Sequence, residues 1–401
     1  MPVRQLFGEM NSSVDRSMNI LLVGNYAPDA QTSMLAFGRM LERELPKLGC
    51  EVRVVAPAQR LQRVADSSRW WKWLGYLDKF ILFIPTLARH GRWADVIHIC
   101  DHSNAMYARW LQGKPVVITC HDVIAIQAAR GMVEGWDVSW SGRLFQRLIS
   151  RGLSLVDAVV CVSGLTARDL LALKLALYHR VQVVPNGLND DFSFLTSHEA
   201  RQLVDRLGIA EQDRYLLHVG SDLPRKNRST VVKAFIALGQ QAIERSTPAL
   251  AQYLVLVGPP LQPDMMALLS GCGLGDRVKV FQDVSHPQLR ALYTRATALL
   301  FPSLQEGFGW PIIEAQACGC PVFASDLPPM NEVGGSGACY VDPRDPEAVA
   351  TVMAQAAGRL PEMRALGLQN ASQYSAARMM ASYLGVYLQV LSEKRAPIAK
   401  W

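Results

Sequence analysis

Apolar residues in this chain fall into short continuous runs, each followed by a polar loop and a helical period. MNILLVG (18–24), EVRVVAP (51–57), DVIHIC (95–100), PVVITC (115–120) and DAVVCVS (157–163) read as buried strands. Between the first two, Leu35, Phe37, Met40, Leu41 and Leu45 recur at helical spacing, and Gly49 closes that helix. A strand–helix–strand opening predicts a parallel sheet. RVQVV (180–184) adds a short strand, and Asn186-Gly187 signals a turn. The alternation then resumes with YLLHVG (215–220), QYLVLVG (252–258), RVKVF (277–281) and TALLFPS (297–303). From about Ser375, Met379, Met380, Tyr383, Leu384, Val386, Tyr387, Leu388 and Leu391 predict a closing helix.

This pattern predicts an α/β chain with parallel sheets in two halves; two Rossmann-like domains facing across a cleft are what the family resemblance given below implies. At 401 residues, two domains are the natural expectation. The boundaries read as a leader over 1–17, a first domain over 18–188, a second over 189–374, and a closing helix over 375–401, which the family resemblance given below implies crosses back to the first domain. The net charge of +6 is mild. It suits nucleotide diphosphates or an acidic membrane surface and is too weak to indicate nucleic acid. The eight cysteines show no CxxC or His/Cys ligand spacing, and Cys100, Cys120 and Cys161 fall in strands. They read as reduced, buried side chains of a cytoplasmic protein. No run approaches the ~20 apolar residues of a membrane span.

The chemistry concentrates in EGFGWPIIEAQACG (306–319). Gly307 and Gly309 let backbone approach a ligand closely. Pro311 suits the first turn of a helix that stops at Gly319. Glu314, near that helix start, leans back toward the loop carrying Glu306. Carboxylates accept hydrogen bonds, so their natural partners are ribose or sugar hydroxyls. Arg225 and Lys226 stand where a helix begins after the 215–220 strand, beside free N–H groups that favour anions. As a pair of cations alone they read as a solvated face; after a buried strand and before a helix, and with the family resemblance given below, they read as a clamp for a diphosphate, Arg as a fork and Lys as a point charge. His121-Asp122 ends the 115–120 strand, where open α/β sheets bind ligands. Asp122 either caps the next helix or orients His121; Asp101 and His102, at a neighbouring strand end, are further candidates.

The string 306–319, continuing through CPVFASDLPPMNEVGGSGACYVDPRDPEAVA, resembles the E-x7-E signature of retaining glycosyltransferases of family 4, group 1 glycosyl transferases with the GT-B fold. VPNG (184–187) resembles the family's domain connection. The resemblance implies a retaining, metal-independent hexosyltransferase moving sugar from a GDP- or UDP-linked donor to a glycan or lipid-linked acceptor, in cell-surface polysaccharide synthesis. It implies His121 and Glu306 as catalytic residues. Ser221, Arg225, Lys226, Val280, Phe308, Gly309, Trp310 and Glu314 would bind the donor, Val280 through its backbone. It calls for no cofactor. Many relatives carry an Arg at the Ser221 position, a place Arg225 would fill here. The loop after the first strand lacks the glycines that the family often places there, with none between Gly24 and Gly38. Two other readings keep the fold: a nucleotide-sugar epimerase, and a non-catalytic scaffold or binding subunit of a glycan-assembly complex.

Residues 66–93 interleave Trp70, Trp71, Trp73, Tyr76, Phe80, Phe83 and Trp93 with Arg69, Lys72, Lys79, Arg89 and Arg92. Two arrangements fit: peripheral contact with the inner membrane surface or a lipid-linked acceptor, or two helices packed on the sheet with solvated cations.

Overall fold

The computed structural model describes residues 17–29, 31–61, 63 and 71–395. All of the expected leader except Ser17, together with Arg69 and Trp70, lies outside these residues. The first half holds β1 (Asn19–Val23), β2 (Glu51–Val55), β3 (Val96–Ile99), β4 (Val116–Cys120), β5 (Ala158–Cys161) and β6 (Val181–Val183). The second holds β7 (Tyr215–Val219), β8 (Tyr253–Val257), β9 (Val278–Phe281), β10 (Ala298–Phe301), β11 (Val322–Ser325) and β12 (Ala338–Val341). Among the described residues these form two parallel sheets, in the orders β2-β1-β3-β4-β5-β6 and β12-β11-β10-β7-β8-β9. The expected α/β class with two facing parallel sheets is present.

Continuous apolar strands are needed because helices cover both faces of each sheet. Successive side chains point to opposite faces, so one strand feeds two cores. In β1, Leu21 and Val23 pack with Phe83, Leu87, Tyr107 and Leu153, while Ile20 and Leu22 pack with Phe37, Met40 and Leu41. In β10, Leu299 and Phe301 enter one core of the second half and Ala298 and Leu300 the other.

The closing helix, Ala376–Arg395, packs on the first sheet through Met379, Met380, Tyr383, Val386, Tyr387 and Val390. A polar chain crosses this contact. The Tyr387 hydroxyl meets His98 Nδ1 at 2.7 Å, His98 Nε2 meets Thr119 Oγ1 at 2.8 Å, and Thr119 Oγ1 meets the Tyr383 hydroxyl at 2.8 Å. Every member is buried and paired, which fixes the helix in one register. Burial, with the nearby charge of His121, pushes His98 down to about 3, so it stays neutral.

The chain passes between the halves twice, and the two crossings touch. A Cβ on Gly187 would lie 2.9 Å from the Ala376 backbone, so only glycine fits. Leu188 N–H donates to the Tyr374 carbonyl at 2.8 Å, and the Trp310 indole donates to the Gly187 carbonyl at 3.0 Å.

The aromatic stretch forms a helix, Trp71–Leu77, a π-turn, Asp78–Leu82, and a second helix, Ile84–Gly91. Its inner side packs on the sheet as the second arrangement supposed: Phe83 and Leu87 are buried, and the Phe83 ring meets Tyr107 edge-on at 5.2 Å. Lys79 is paired, 2.9 Å from Asp29.

Candidate active site

In each sheet the strand order reverses once, between β1 and β3 and between β7 and β10. Loops leaving the C-terminal strand ends at such a point diverge and open a crevice. The loop after β7 carries Arg225 and Lys226, and the loop after β10 carries Glu306. The motif residues therefore meet because the topology separates their chains there.

Glu306 is buried and takes both cations. Its Oε2 accepts from Arg225 Nη1 at 2.8 Å and its Oε1 from Lys226 Nζ at 2.6 Å. Burial alone would raise its pKa; Lys226 and then Arg225 outweigh this and lower it. Asn227, in the left-handed region at φ 56, starts the helix Arg228–Glu244 and donates to the Pro302 and Pro343 carbonyls at 3.0 and 2.7 Å. It thereby ties the cation loop to the strand ends. Ser221, Arg225 and Lys226 are half-buried, so the clamp is reachable by a ligand.

Glu314 sits in the helix Trp310–Ala317, which follows Gly309 at φ 102. It is buried and accepts from the Tyr293 hydroxyl at 2.9 Å. Burial raises it to about 7, although the Tyr293 hydrogen bond and the Lys226 charge pull the other way. The two glutamates of the motif therefore differ: Glu306 is a fixed anion, and Glu314 exchanges a proton near neutrality.

The structure places three further expected donor contacts. The Phe308 ring is buried in the core against Tyr374, so it has only its backbone to offer. The Trp310 indole donates to the Gly187 carbonyl at the connection. Val280 is half-buried in edge strand β9.

On the facing sheet, His121 follows β4. Its Nε2 lies 2.9 Å from the Cys100 carbonyl, which can only accept, so Nε2 carries hydrogen. Its ring stands edge-on to Phe37 at 4.7 Å, and burial lowers its pKa. The imidazole is then neutral, with Nδ1 as an acceptor that makes no hydrogen bond among the described residues. Asp122 accepts from Ile124 N–H at 3.0 Å, which is the capping alternative. Asp101 accepts from Asn25 Nδ2 at 2.5 Å and Ser103 N–H at 2.9 Å, with His102 Nδ1 at 3.2 Å. Burial opposes its ionisation, but the hydrogen bond and charge of His102 hold the carboxyl well below the usual range. The Asn25–Asp101 bond spans the β1/β3 switch point.

The two sheet ends meet at Gly307. A Cβ there would stand 1.8 Å from the His121 carbonyl oxygen. Thr166 Oγ1 donates to the Gly307 carbonyl at 3.3 Å, Gln305 Nε2 to Gln127 Oε1 at 3.1 Å, and Gly164 N–H to Glu332 Oε1 at 2.8 Å. His121, Glu306, Arg225 and Lys226 thus belong to one cleft. The sequence reading missed Tyr293, Asn25 and Glu332. Tyr293 sits at core spacing in its helix and shows only as packing; Asn25, directly after β1, stood at a strand end and could have been picked up.

Family models agree with this architecture. "Glycosyltransferase Family 4" matches residues 39–192 and "Glycosyl transferases group 1" matches residues 200–365. A D-inositol 3-phosphate glycosyltransferase of Acidothermus cellulolyticus is 30% identical over 329 residues, 77% of this chain and 70% of that protein. The O-antigen chain mannosyltransferase RfbU of Salmonella typhimurium is 34% identical over 137 residues, about a third of each chain (34% and 36%). The crystal structure of Anabaena HepE with UDP and glucose superposes with a TM-score of 0.69 at 15% identity, over 93% of this chain and 100% of that one. The chain belongs to the family 4, group 1 glycosyltransferases and has their GT-B fold.

Proposed function

We propose that the protein transfers a hexose, with retention of anomeric configuration, from a nucleotide-diphosphate sugar to a hydroxyl of a glycan or lipid-linked acceptor in cell-surface polysaccharide synthesis. The observation that carries this is the pair of cations Arg225 and Lys226, held on Glu306 at the β7/β10 switch point and facing His121 across the cleft. The leaving diphosphate lies against Lys226 and Arg225. As the bond from C1 to the phosphate oxygen breaks, negative charge grows on that oxygen, and fixed cations stabilise it more in the transition state than before. The acceptor oxygen bonds to C1 on the same face, and its proton passes to the leaving phosphate. His121 Nδ1 accepts a hydrogen bond from a donor-sugar hydroxyl. Glu314, poised near neutrality, accepts from a ribose hydroxyl in its ionised form.

Glu306 acts by holding the two cations and orienting the sugar, not as a nucleophile. A glycosidase-type pair needs two carboxylates flanking the reacting carbon, and here one is occupied by cations and the other by Tyr293. The cations do the neutralising that a divalent metal does elsewhere, so the reaction proceeds without one. The similarity to HepE solved with UDP supports a nucleotide donor, and RfbU supports a hexose.

The test is a product assay with a panel of UDP-, GDP- and ADP-hexoses, in EDTA, against phospholipid-linked and free glycan acceptors. Retention is read from the anomeric proton coupling of the product. Inverted product, strict metal dependence, or nucleotide release unaffected by acceptor each contradict the reading; the last points to the epimerase.

A further inference from the structure

The helix Trp140–Leu153 carries three longitudinal stripes. Phe145, Ile149 and Leu153 face inward, and a Cβ on Gly152 would meet the Ala105 backbone at 2.3 Å, so this side is pressed on the fold. On the opposite side Trp140 is 79% exposed, and Leu144 and Leu148 follow at four-residue spacing, also exposed. Beside them run Arg143, Arg147 and Arg151, all exposed. None of the three makes an ion pair among the described residues, and the helix contains no acidic residue. An ordinary solvated face would carry mixed charges and no such apolar row.

The patch continues onto the neighbouring element. Phe145 meets Tyr76 at 6.3 Å and Phe80 at 5.8 Å, and outward of them Trp73 and Ile81 are about 60% exposed. Trp136, in the loop before the helix, is exposed as well.

We infer that this two-element face docks on an anionic phospholipid bilayer, its tryptophans and leucines entering the headgroup boundary and its arginines meeting lipid phosphates. Charge decides the partner: three guanidiniums with no carboxylate partner among the described residues, beside an apolar row, are complementary to an acidic lipid surface and repel their copies on a second chain. No described helix is long and apolar enough to cross a membrane, so docking is by this face. The helix Ile124–Ala129, which follows His121-Asp122, packs against the helix Trp140–Leu153. A lipid-linked acceptor would therefore reach His121 from the bilayer; this last point rests on the function proposed above.

The full chain is tested by co-sedimentation with vesicles of phosphatidylcholine alone and with about a third phosphatidylglycerol. Binding is expected only to the anionic vesicles and falls with salt. Each Arg→Glu substitution in the stripe should weaken partitioning at least about fivefold, the effect of one lost cation near an acidic surface. Trp140→Ser with Leu144→Ser should weaken it further. Unchanged melting temperature and unchanged stabilisation by nucleotide in these variants show that fold and donor site are intact. Equal binding to both vesicle types, binding unaffected by the substitutions, or a dimer in light scattering that the same substitutions dissolve would overturn the inference. The nucleotide arm reads the donor site separately, so failure of one leaves the other standing.

Discussion

The two halves are both six-stranded parallel sheets with one reversal of strand order, placed one strand apart in the two, and they differ in what they present at the open ends of their sheets. The second sheet presents cations, with Arg225 and Lys226 outside the strands and a single anion beneath them. The first presents a neutral imidazole and a carboxylate consumed by its own neighbours, with Asp101 bonded to Asn25, Ser103 and His102. One kind of architecture thus carries a cationic end and an end with a neutral imidazole, and the residues that make the contrast stand in the loops after the strands. Strands set where a site is; loops set what it binds. A leaving group that gains charge belongs on the cationic side, and an acceptor that must stay neutral until it reacts belongs opposite.

The largest effect should come from removing the cationic side. Lys226→Ala is expected to lower kcat by about 100- to 1,000-fold, the scale seen when one preorganised group facing developing charge is lost. Steady-state kinetics with the best donor check this. Next comes the contact between the halves: Gly307→Ala puts a methyl into the His121 carbonyl and must part them. A displacement of ~1 Å can cost about 100-fold in rate. Nucleotide-induced stabilisation should survive in this variant, because Arg225, Lys226 and Glu306 themselves are unchanged; its loss would mean that Gly307 also shapes the donor pocket.

Smaller and pH-dependent effects separate the two glutamates. Glu314 is raised to about 7 in the folded protein, from an ordinary value of 4.5. Between these values the folded state holds a proton that the unfolded state has released, so its contribution to stability falls as pH rises from 4.5 to 7 and stays low above. Glu314→Gln should therefore raise the melting temperature at pH 8 and leave it nearly unchanged at pH 4.5, while weakening nucleotide-sugar binding. Glu306 is lowered, so its contribution is present above its ordinary value and is lost only as pH falls through the folded one. Glu306→Gln should destabilise at pH 7. If the two variants shift stability in the same direction at pH 8, the contrast fails. The smallest effect on turnover is expected at Asp101→Asn, which keeps the size of the side chain but turns one of its two accepting oxygens into a donor facing Asn25 or Ser103: a rise in acceptor KM with donor KM unchanged.

Most of the sheet architecture was legible because strands covered on both faces must be apolar throughout, and runs such as YLLHV and ALLF have few other uses. The glycine-and-proline punctuation around 306–319 marked a loop and helix start correctly, since Gly309 adopts φ 102 and Pro311 lies in the first turn. Side-chain commitments were not legible. The family resemblance implies Trp310 and Phe308 as donor contacts, and what their rings also do, one bonded to the Gly187 carbonyl and the other packed in the core, shows only in three dimensions. Tyr293 lies 21 residues from Glu314 and shares no local pattern with it. The exposed row on Trp140–Leu153 escaped notice for the opposite reason: at helical spacing, an outward apolar stripe reads like an inward one until packing shows which is buried.

The account turns on the cationic sheet end holding the nucleotide diphosphate. The most direct measurement is thermal unfolding with UDP, GDP and ADP for the natural protein, Lys226→Ala and His121→Ala. A ligand bound only to the folded state raises the melting temperature by mass action. The expected result is a rise with one nucleotide class, abolished in Lys226→Ala and retained in His121→Ala. An equal rise in the natural protein and Lys226→Ala would contradict the account, because the diphosphate would then be held elsewhere.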